Sequence, residues 1–287
     1  MKKIKEPATL DEQINTLIDR NLIINDIEFA KNFLYSVNYY NFSGYLYEFK
    51  DKQTDSYNNL NFDTVYNVYM CDKRLKSIVL YAIEIFEHNI KTKFAYVLAH
   101  CTGSLGYKDS ANFTNIEKHT QFLEHLHHNI EKNKNLPFVK HHITTYGDFP
   151  IWVAIELFTI GNIASCYKNL KKELKKKIAA EFKVNFLTLS NWLDCIVYIR
   201  NMSAHYMRLY NLAMPLTIKS YKNLFNEFSP THKLFDVIYA MKYLMPNNNE
   251  WNNHIIPNIV QIFCEYDEYV NISAYGFPEN WEQHLKI

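Results

Sequence analysis

The residues best suited to chemistry lie in one short segment near residue 200. Arg200, Asn201, His205 and Arg208 follow directly after a run of apolar residues. If the segment is helical, with about 100° per residue, Asn201 and His205 share one side and Arg208 follows one turn later. Arg200 then lies roughly 140° around the axis from His205, so only its long side chain can bring the guanidinium near the imidazole.

These residue types suit the cleavage of an RNA phosphodiester. Histidine titrates near neutral pH and acts as a general acid or a general base. Arginine binds phosphate through paired hydrogen bonds and stabilises the extra charge on a pentacoordinate phosphorus. RNA carries its own nucleophile, the 2′-hydroxyl, so this chemistry requires neither a metal ion nor a cofactor, and we expect none. The spacing alone is not specific, and a solvated Arg/His cluster with purely structural contacts is the alternative.

A lysine-rich segment is the second candidate for contacts with nucleic acid. Residues 168–183 contain seven lysines and two glutamates. On a single helix, five of these lysines share a broad face that can contact phosphates without reading sequence: Lys168, Lys171, Lys172, Lys175 and Lys176. An ordinary solvated helix face explains the same pattern equally well.

Histidines are concentrated in another region, as His125, His127, His128, His141 and His142. His125 and His128 are spaced for one face of a helix, but no cysteine or carboxylate set completes a known zinc-ligand spacing. We therefore predict no metal site here and interpret the region as a mobile, polar surface segment.

The elements that position these residues are predicted to be helices. The chain has only 6 Gly and 8 Pro, fewer than β-sandwiches, barrels or Gly-rich nucleotide-binding folds usually need. Apolar residues recur at helical spacing over about residues 63–101, which predicts one long helix, or two nearly continuous ones, ended by Gly103 and Gly106. Glu84, Glu87 and Lys91 share a polar side of it, and in a bundle Glu87 is the residue that could approach the Arg/His segment.

Local signals predict the remaining helices. Thr9 with Glu12 has the pattern of a capping box, and a second helix is predicted after Asp26. Apolar periodicity predicts a helix over residues 151–170, interrupted by Gly161. It predicts two more over residues 185–210 and residues 255–269. No strongly alternating strand is evident. We predict an all-α protein with a helical domain over residues 8–225 and a C-terminal helical extension, residues 226–287, packed on the same unit.

A dense aromatic stretch precedes the long helix. It consists of Tyr35, Tyr39, Tyr40, Phe42, Tyr45, Tyr47 and Phe49, broken by Ser43-Gly44. We interpret it as a packed turn with tyrosine hydroxyls at the surface. A platform on which nucleobases stack is the alternative.

Composition limits the classes to which the chain can belong. Its 287 residues are 48% hydrophobic, enough for a sizeable core. With 31 basic and 30 acidic side chains the net charge is +1, so nucleic-acid binding would need a local patch. Five scattered cysteines without a CxxC pair indicate a reducing compartment. The N-terminus has no signal-peptide pattern and no apolar run is long enough to span a bilayer, so we expect a cytoplasmic protein without membrane contact.

Several motifs along the chain resemble those of one known family, and they occur in the same order as in that family. The segment from Arg200 to His205 resembles the Arg-x4-His signature of the HEPN superfamily, in the version with Asn after Arg. Further elements are similar to those of abortive-infection proteins of the AbiD/AbiF type: Asn38-Tyr39-Tyr40-Asn41-Phe42-Ser43-Gly44-Tyr45, Tyr69-x-x-Asp72-x-x-Leu75, Phe86-Glu87-x-x-Ile90-Lys91, Pro150-x-Trp152-x-x-x-Glu156-x-x-x-x-Gly161 and Ser190-x-Trp192-Leu193. The resemblance covers residues 8–215. Asn41 and Lys91 depart from it, because the family usually carries arginine at both positions.

The resemblance implies a HEPN-like helical bundle, with additional N- and C-terminal helices, that acts in bacterial phage defence. HEPN ribonucleases cleave RNA without metal; Arg200 and His205 match their paired catalytic residues, and Asn201 matches the polar residue that supports them. Since such sites commonly form where two motifs meet across a two-fold axis, the single motif implies a homodimer. Proteins of this type are associated with a small non-coding RNA in toxin–antitoxin fashion, so we expect an RNA partner.

Three functions are therefore considered. The leading one is a metal-independent endoribonuclease toxin that uses Arg200, Asn201 and His205. The second is a non-catalytic module that holds a structured RNA. In both, the expected RNA-binding residues are Arg208, Lys168, Lys171, Lys172 and Lys175. The third is a protein-interaction component in which the cluster merely caps a helix.

Overall fold

The computed structural model describes residues 6–219 and 229–287, and its regular elements are almost entirely helical. The α-helices are α1 Leu10–Asp19, α2 Ile27–Ser36, α3 Tyr39–Leu46, α4 Phe62–Thr102, α5 Ile116–Lys132, α6 Pro137–Thr145, α7 Ile151–Ala154, α8 Ile160–Asn169, α9 Lys172–Ala180, α10 Phe186–Ala204, α11 Leu234–Lys242, α12 Asn248–Glu250, α13 Ile256–Glu265 and α14 Trp281–Leu285. Short 3₁₀ segments lie at Tyr47–Phe49, Gly106–Lys108, Ser110–Asn112, Ile155–Leu157 and Ile272–Tyr275, and a π-helical segment at Trp251–Ile255. The all-α prediction is confirmed.

Two very short strands complete the described elements. β1 Leu22–Ile23 and β2 Leu60–Asn61 pair in parallel, with Leu22 opposite Leu60. The pair ties the end of α1 to the start of α4, so the N-terminal helices are fixed against the long helix. Two residues per strand are too few for an alternating pattern to be visible in the sequence.

The predicted N-terminal caps are present. At the start of α1, Glu12 N–H donates to Thr9 Oγ1 at 3.2 Å, and Thr9 N–H donates to Glu12 Oε2 at 2.7 Å. Asp26 caps α2 by accepting from the Phe29 N–H at 2.8 Å. Each carboxylate or hydroxyl satisfies a backbone donor that the helix leaves without a partner, which fixes where the helix begins.

The long helix is a single continuous element. α4 has 41 residues, which makes it about 60 Å long at the usual rise per residue. It contacts α3, α7, α9, α10 and α13, and its fully buried side chains include Leu75, Phe86, Ile90, Phe94 and Leu98. Gly103 ends it with φ of 84°, a left-handed conformation that glycine adopts without steric cost.

The segment after α7 is less regular than the sequence predicts. The helix expected over residues 151–170 is broken at Phe158 and Thr159, and Gly161 lies inside α8. Thr159 caps α8 by accepting from the Asn162 N–H at 3.2 Å. A strong capping residue therefore sets the boundary, and the glycine does not.

The lysine-rich segment is also broken, so the prediction of one helix with a shared lysine face is wrong. α8 ends at Asn169, and Leu170 and Lys171 are extended before α9 begins. Leu170 is fully buried and forms a bridge with Phe113, and Lys171 N–H donates to Asn112 O at 2.9 Å. These contacts to a distant segment hold the two residues out of the helical conformation.

The C-terminal helices pack on the same core. α11 contacts α10, α13 contacts α4, and Trp251 Nε1 donates to Leu285 O at 2.8 Å. The predicted domain boundary at residues 225 and 226 lies outside the described residues. All five cysteines are free thiols, and no described helix is both long and apolar enough to cross a membrane.

Candidate functional site

α10 carries the Arg/His segment on one of the best-packed elements of the bundle. It contacts α4, α8, α9 and α11, and Leu189, Trp192, Leu193, Ile196 and Ile199 are fully buried. Asn185 caps its start by accepting from the Leu187 N–H at 2.8 Å. Since Ile199 directly precedes Arg200, the core anchors the helix up to the first residue of the segment.

The helix ends at Ala204, six residues earlier than predicted. His205 is the C-cap, and Tyr206 adopts the left-handed conformation with φ of 57°. Tyr206 N–H donates to Ser203 O at 3.3 Å and Met207 N–H donates to Met202 O at 2.9 Å, the two bonds of a Schellman motif. The predicted single stripe of Asn201, His205 and Arg208 is therefore absent, because Arg208 lies beyond the helix.

His205 is exposed where the helix ends. Its backbone N–H donates to Asn201 O at 3.0 Å, and no described residue makes a hydrogen bond or ion pair with its imidazole. Tyr206 and Met207 beside it are 71% and 49% exposed. The imidazole is accessible to an RNA or to a second copy of the chain.

Arg200 lies on a different side of the same helix end, where it lines a cleft between α10 and α4. The cleft has a volume of about 380 Å³ and is lined by Leu80, Ile83, Glu84, Glu87, His88, Lys91 and Arg200. Arg200 Nη1 donates to Asn201 Oδ1 at 3.2 Å. Lys91 Nζ lies 3.1 Å from Glu87 Oε1, and both side chains are mostly buried. Glu87 thus shares a cleft with Arg200, on the side of the segment away from His205.

A buried polar cluster anchors the chain directly after His205. Asp72, fully buried on α4, accepts from Tyr45 OH at 2.5 Å and from Leu209 N–H at 3.1 Å. Lys76 Nζ lies 3.2 Å from the same Asp72 oxygen and donates to Met207 O at 3.3 Å. Burial and the Asp72 charge raise the pKa of Tyr45 far above its ordinary value, so its hydroxyl stays a donor. The carboxylate and the ammonium together fix residues 207–209.

Two further contacts hold the same segment from the side of α3. Asn41 Nδ2 donates to Tyr206 O at 3.1 Å. Glu48 forms an ion pair with Arg208 and accepts from Asn211 Nδ2 at 2.6 Å. Arg208, an expected RNA contact, is therefore partly buried and engaged with a carboxylate in the structure.

Sequence reasoning missed the roles of Tyr45, Glu48, Asp72 and Lys76 around this segment. Tyr45 and Asp72 belong to the motifs quoted above, but nothing local assigns them a function. One signal was available, since Asp72 lies among the apolar positions of a long buried helix, and a buried carboxylate needs partners.

The expected RNA-binding lysines are distributed over α8, α9 and their junction. Lys168 forms an ion pair with Asp194 at 2.8 Å, and Lys175 Nζ donates to Lys168 O at 3.1 Å. Lys172 Nζ lies 5.8 Å from the centre of the Phe186 ring. Their charges stay near the surface, and the Lys175 side chain reaches back to Lys168 across the break between α8 and α9.

The histidine-rich region is helical rather than a mobile segment. α5 buries Phe122 and Leu126 and leaves its three histidines exposed: His127 and His128, and His125, which lines a cleft between α5 and α8. On α6, the ring of His142 stacks on Phe149 at 5.6 Å between centroids. Within residues 6–219 and 229–287, no group of three or more His, Cys, Asp or Glu side chains is placed to hold a metal ion.

Comparison with known proteins identifies the family. No curated protein and no solved structure matches the chain. A family model described as Abi-like protein matches residues 32–211, more than half of the chain, and this range includes the Arg200–His205 segment together with Asn41, Glu48, Asp72 and Lys76, which hold it. The chain therefore belongs to the family of Abi-like proteins, and this membership supports a role in abortive infection, a defence against phage.

Proposed function

We propose that this chain is an RNA-binding HEPN protein of phage defence and a metal-independent endoribonuclease toxin. The observation that carries the proposal is the presentation of His205. It is exposed at the end of a firmly packed helix, and the residues that follow it are fixed by a buried ion pair. The backbone that carries His205 is therefore fixed, which gives a general acid or base a defined place at the surface.

In the proposed mechanism, His205 moves the protons. One His205 imidazole takes the proton of the 2′-hydroxyl or gives a proton to the leaving 5′-oxygen, and the second His205 of the dimer or a water molecule transfers the other proton. Arg200 stabilises the charge on the pentacoordinate phosphorus, and Asn201, hydrogen-bonded to Arg200, orients the guanidinium. The 2′-oxygen displaces the 5′-oxygen, and the products are a 2′,3′-cyclic phosphate and a 5′-hydroxyl.

A homodimer is part of the proposal, because Arg200 and His205 lie on different sides of one helix end. Two copies of α10 that meet at this end would bring the His205 of one chain toward the Arg200 of the other. Exposed Tyr206 and Met207 supply apolar surface next to His205 for such a contact.

We further propose that a small structured non-coding RNA binds the protein and controls it. The net charge of +1 requires a local surface for this RNA. Lys171, Lys172 and Lys175, at the junction of α8 and α9, are the residues proposed for it, and Lys168 contributes from α8. Binding through such phosphate contacts is expected to weaken steeply with salt.

A non-catalytic RNA-binding module is the second candidate. It is favoured by one observation: within one chain no described residue makes a hydrogen bond or ion pair with the His205 imidazole, so a single copy has no group that orients the ring. In that case Arg200 and His205 contact phosphate only, and the dimer binds RNA without cutting it.

The test is cleavage of a defined RNA by the purified full-length chain in the presence of EDTA. We expect cleavage by the wild type that His205→Ala abolishes and Arg200→Ala lowers by about 100-fold or more. His127→Ala and Arg74→Ala are the controls, since His127 is exposed on α5, Arg74 pairs with Glu265 of α13, and neither lines the Arg200 cleft. An RNA with a single 2′-deoxy position should resist cleavage there. Full activity of His205→Ala would contradict the proposal, and RNA binding without cleavage would favour the non-catalytic module.

A further inference from the structure

A cavity open to solvent lies between α1, α3 and residues 50–57, close to the His205 segment, and the function described so far does not use it. It has a volume of about 630 Å³, within the range of small-molecule sites. Three parts of the chain contribute to it: α1, α3 with the turn that follows it, and residues 50–57. Its lining includes four tyrosines, Tyr39, Tyr40, Tyr47 and Tyr57.

The tyrosines give the cavity an aromatic surface, and part of this surface is exposed to solvent. Tyr40 is 86% exposed and Tyr47 is 55% exposed, whereas Tyr57 is buried in the wall. Lys52 Nζ lies 5.6 Å from the centre of the Tyr47 ring. Exposed rings beside a cavity are the kind of surface on which unpaired nucleobases stack.

Gln13 of α1 contributes to the cavity wall. Gln13 Nε2 donates to Ala8 O at 3.0 Å, which fixes the orientation of the amide. Gln13 Oε1 is buried, and no described residue donates to it. Because the surface of Oε1 is covered, a ligand in the cavity does not reach it, and Gln13 serves as part of the wall.

Charge at the cavity suits the backbone of a nucleic acid. Arg20 and Lys50 line it, and both form ion pairs with the single carboxylate of Asp55. These three side chains carry a net positive charge, so a phosphate attached to a bound base would meet an attractive field.

α3 connects the cavity to the candidate catalytic segment. Tyr40, Ser43 and Tyr47 lie along the cavity side of α3 and its extension. On the neighbouring face, Asn41 donates to Tyr206 O, and a side chain at Gly44 would lie 4.0 Å from Arg208 Nε. A strand of RNA whose phosphate lies at His205 is thus only one helix away from the tyrosines.

We propose that this cavity binds an unpaired nucleobase of single-stranded RNA. This inference rests on the proposed function, because it assumes that RNA is the ligand of the neighbouring segment. The base stacks on the exposed rings of Tyr40 and Tyr47. The cavity therefore selects single-stranded over double-stranded RNA, in which the bases are not accessible.

The test is binding of a fluorescein-labelled, ten-nucleotide single-stranded RNA of mixed sequence, measured by anisotropy in EDTA. All proteins carry His205→Ala, so that the probe stays intact. Tyr40→Ala and Tyr47→Ala should each weaken binding by about tenfold or more, and Tyr40→Phe should bind nearly as the parent does. Tyr35→Ala is the matched control, since Tyr35 is 80% exposed and does not line the cavity.

The proposal is overturned if Tyr40→Ala and Tyr47→Ala bind the probe as Tyr35→Ala does, or if the same sequence as a duplex competes equally. Its failure is distinguishable from that of the nuclease. If cleavage depends on His205 but the tyrosine variants bind RNA normally, the proposed base site is wrong and the proposed nuclease function is supported. If binding depends on the tyrosines but the wild type does not cleave RNA, the base site is supported and the proposed nuclease function is wrong.

Discussion

Asp72 accepts a hydrogen bond from the backbone N–H of Leu209 at 3.1 Å, although 137 residues separate them. The bond joins the first third of the longest described helix to the residues that follow His205. Because Lys76 pairs with the same carboxylate and also holds Met207 O, the position of the His205 segment depends on two charged residues buried in α4.

Loss of the Asp72 charge is therefore expected to damage both the fold and the site. Asp72→Asn leaves the Lys76 ammonium buried without its counter-ion, and removing one partner of a buried pair typically costs about 3–5 kcal/mol. Urea unfolding followed by circular dichroism measures the loss. Glu28→Gln is the control, since Glu28 pairs with Lys31 at the surface, where a pair contributes about 1 kcal/mol or less. Equal effects of the two substitutions would contradict the role assigned to Asp72.

The left-handed conformation of Tyr206 predicts an unusual response to glycine. A residue with a Cβ is disfavoured there by about 1–2 kcal/mol, and glycine is not. Tyr206→Gly should raise the free energy of unfolding by up to about 1 kcal/mol, and Tyr206→Val should lower it, because β-branched residues fit this conformation worst. Both values come from denaturant titration. Tyr146 is an exposed helix C-cap with φ of −114°, so Tyr146→Gly should give no gain; an equal gain there would refute the explanation.

The end of α10 shows what the sequence alone could not predict. A Schellman motif is usually recognised by glycine in the left-handed position, and here that position is Tyr206. Apolar and polar residues continue beyond it with a spacing that still fits a helix. The end is set by Asp72 and Lys76, which act across more than 130 residues of sequence.

Other parts of the fold were predictable because their causes are local. α4 repeats its apolar positions over about forty residues, and Thr9 and Asp26 cap their helices through contacts three residues away. The residue types of the candidate site were found in the same way. The sequence did not predict which of these residues share a surface. The Glu48–Arg208 pair and the cleft of Arg200 with Glu87 depend on how distant helices pack.

Alkaline pH is expected to destabilise the fold through its buried tyrosines. Burial raises the pKa of Tyr45, Tyr107 and Tyr167 above the ordinary value, with Asp72 adding to the shift at Tyr45. Above a pH of about 10 the unfolded chain has lost these protons and the native state keeps them. The free energy of unfolding therefore falls as pH rises, by up to about 1.4 kcal/mol per pH unit for each group.

The measurement is a series of urea titrations between about pH 8 and pH 11. Tyr107 OH donates to Phe149 O at 2.6 Å, so Tyr107→Phe costs some stability at neutral pH. At alkaline pH, the decrease of the free energy of unfolding with pH should be smaller in this variant by the contribution of one proton. Tyr96, which is 60% exposed, provides the control Tyr96→Phe, whose slope should match the wild type. An unchanged slope in Tyr107→Phe would show that its proton is not linked to folding.

The Glu48–Arg208 pair predicts that Arg208 acts mainly on stability. Both side chains are partly buried, and Glu48 also binds Asn211. In a double-mutant cycle with Glu48→Gln and Arg208→Met, we expect a coupling energy of about 1–3 kcal/mol in the free energy of unfolding. The salt dependence of RNA binding should be unchanged in Arg208→Met. Lys172→Met removes a charge that is not paired with a carboxylate in the described contacts, and it should reduce the slope of log K against log salt concentration by about one. A coupling near zero together with a reduced slope in Arg208→Met would instead identify Arg208 as a direct phosphate contact.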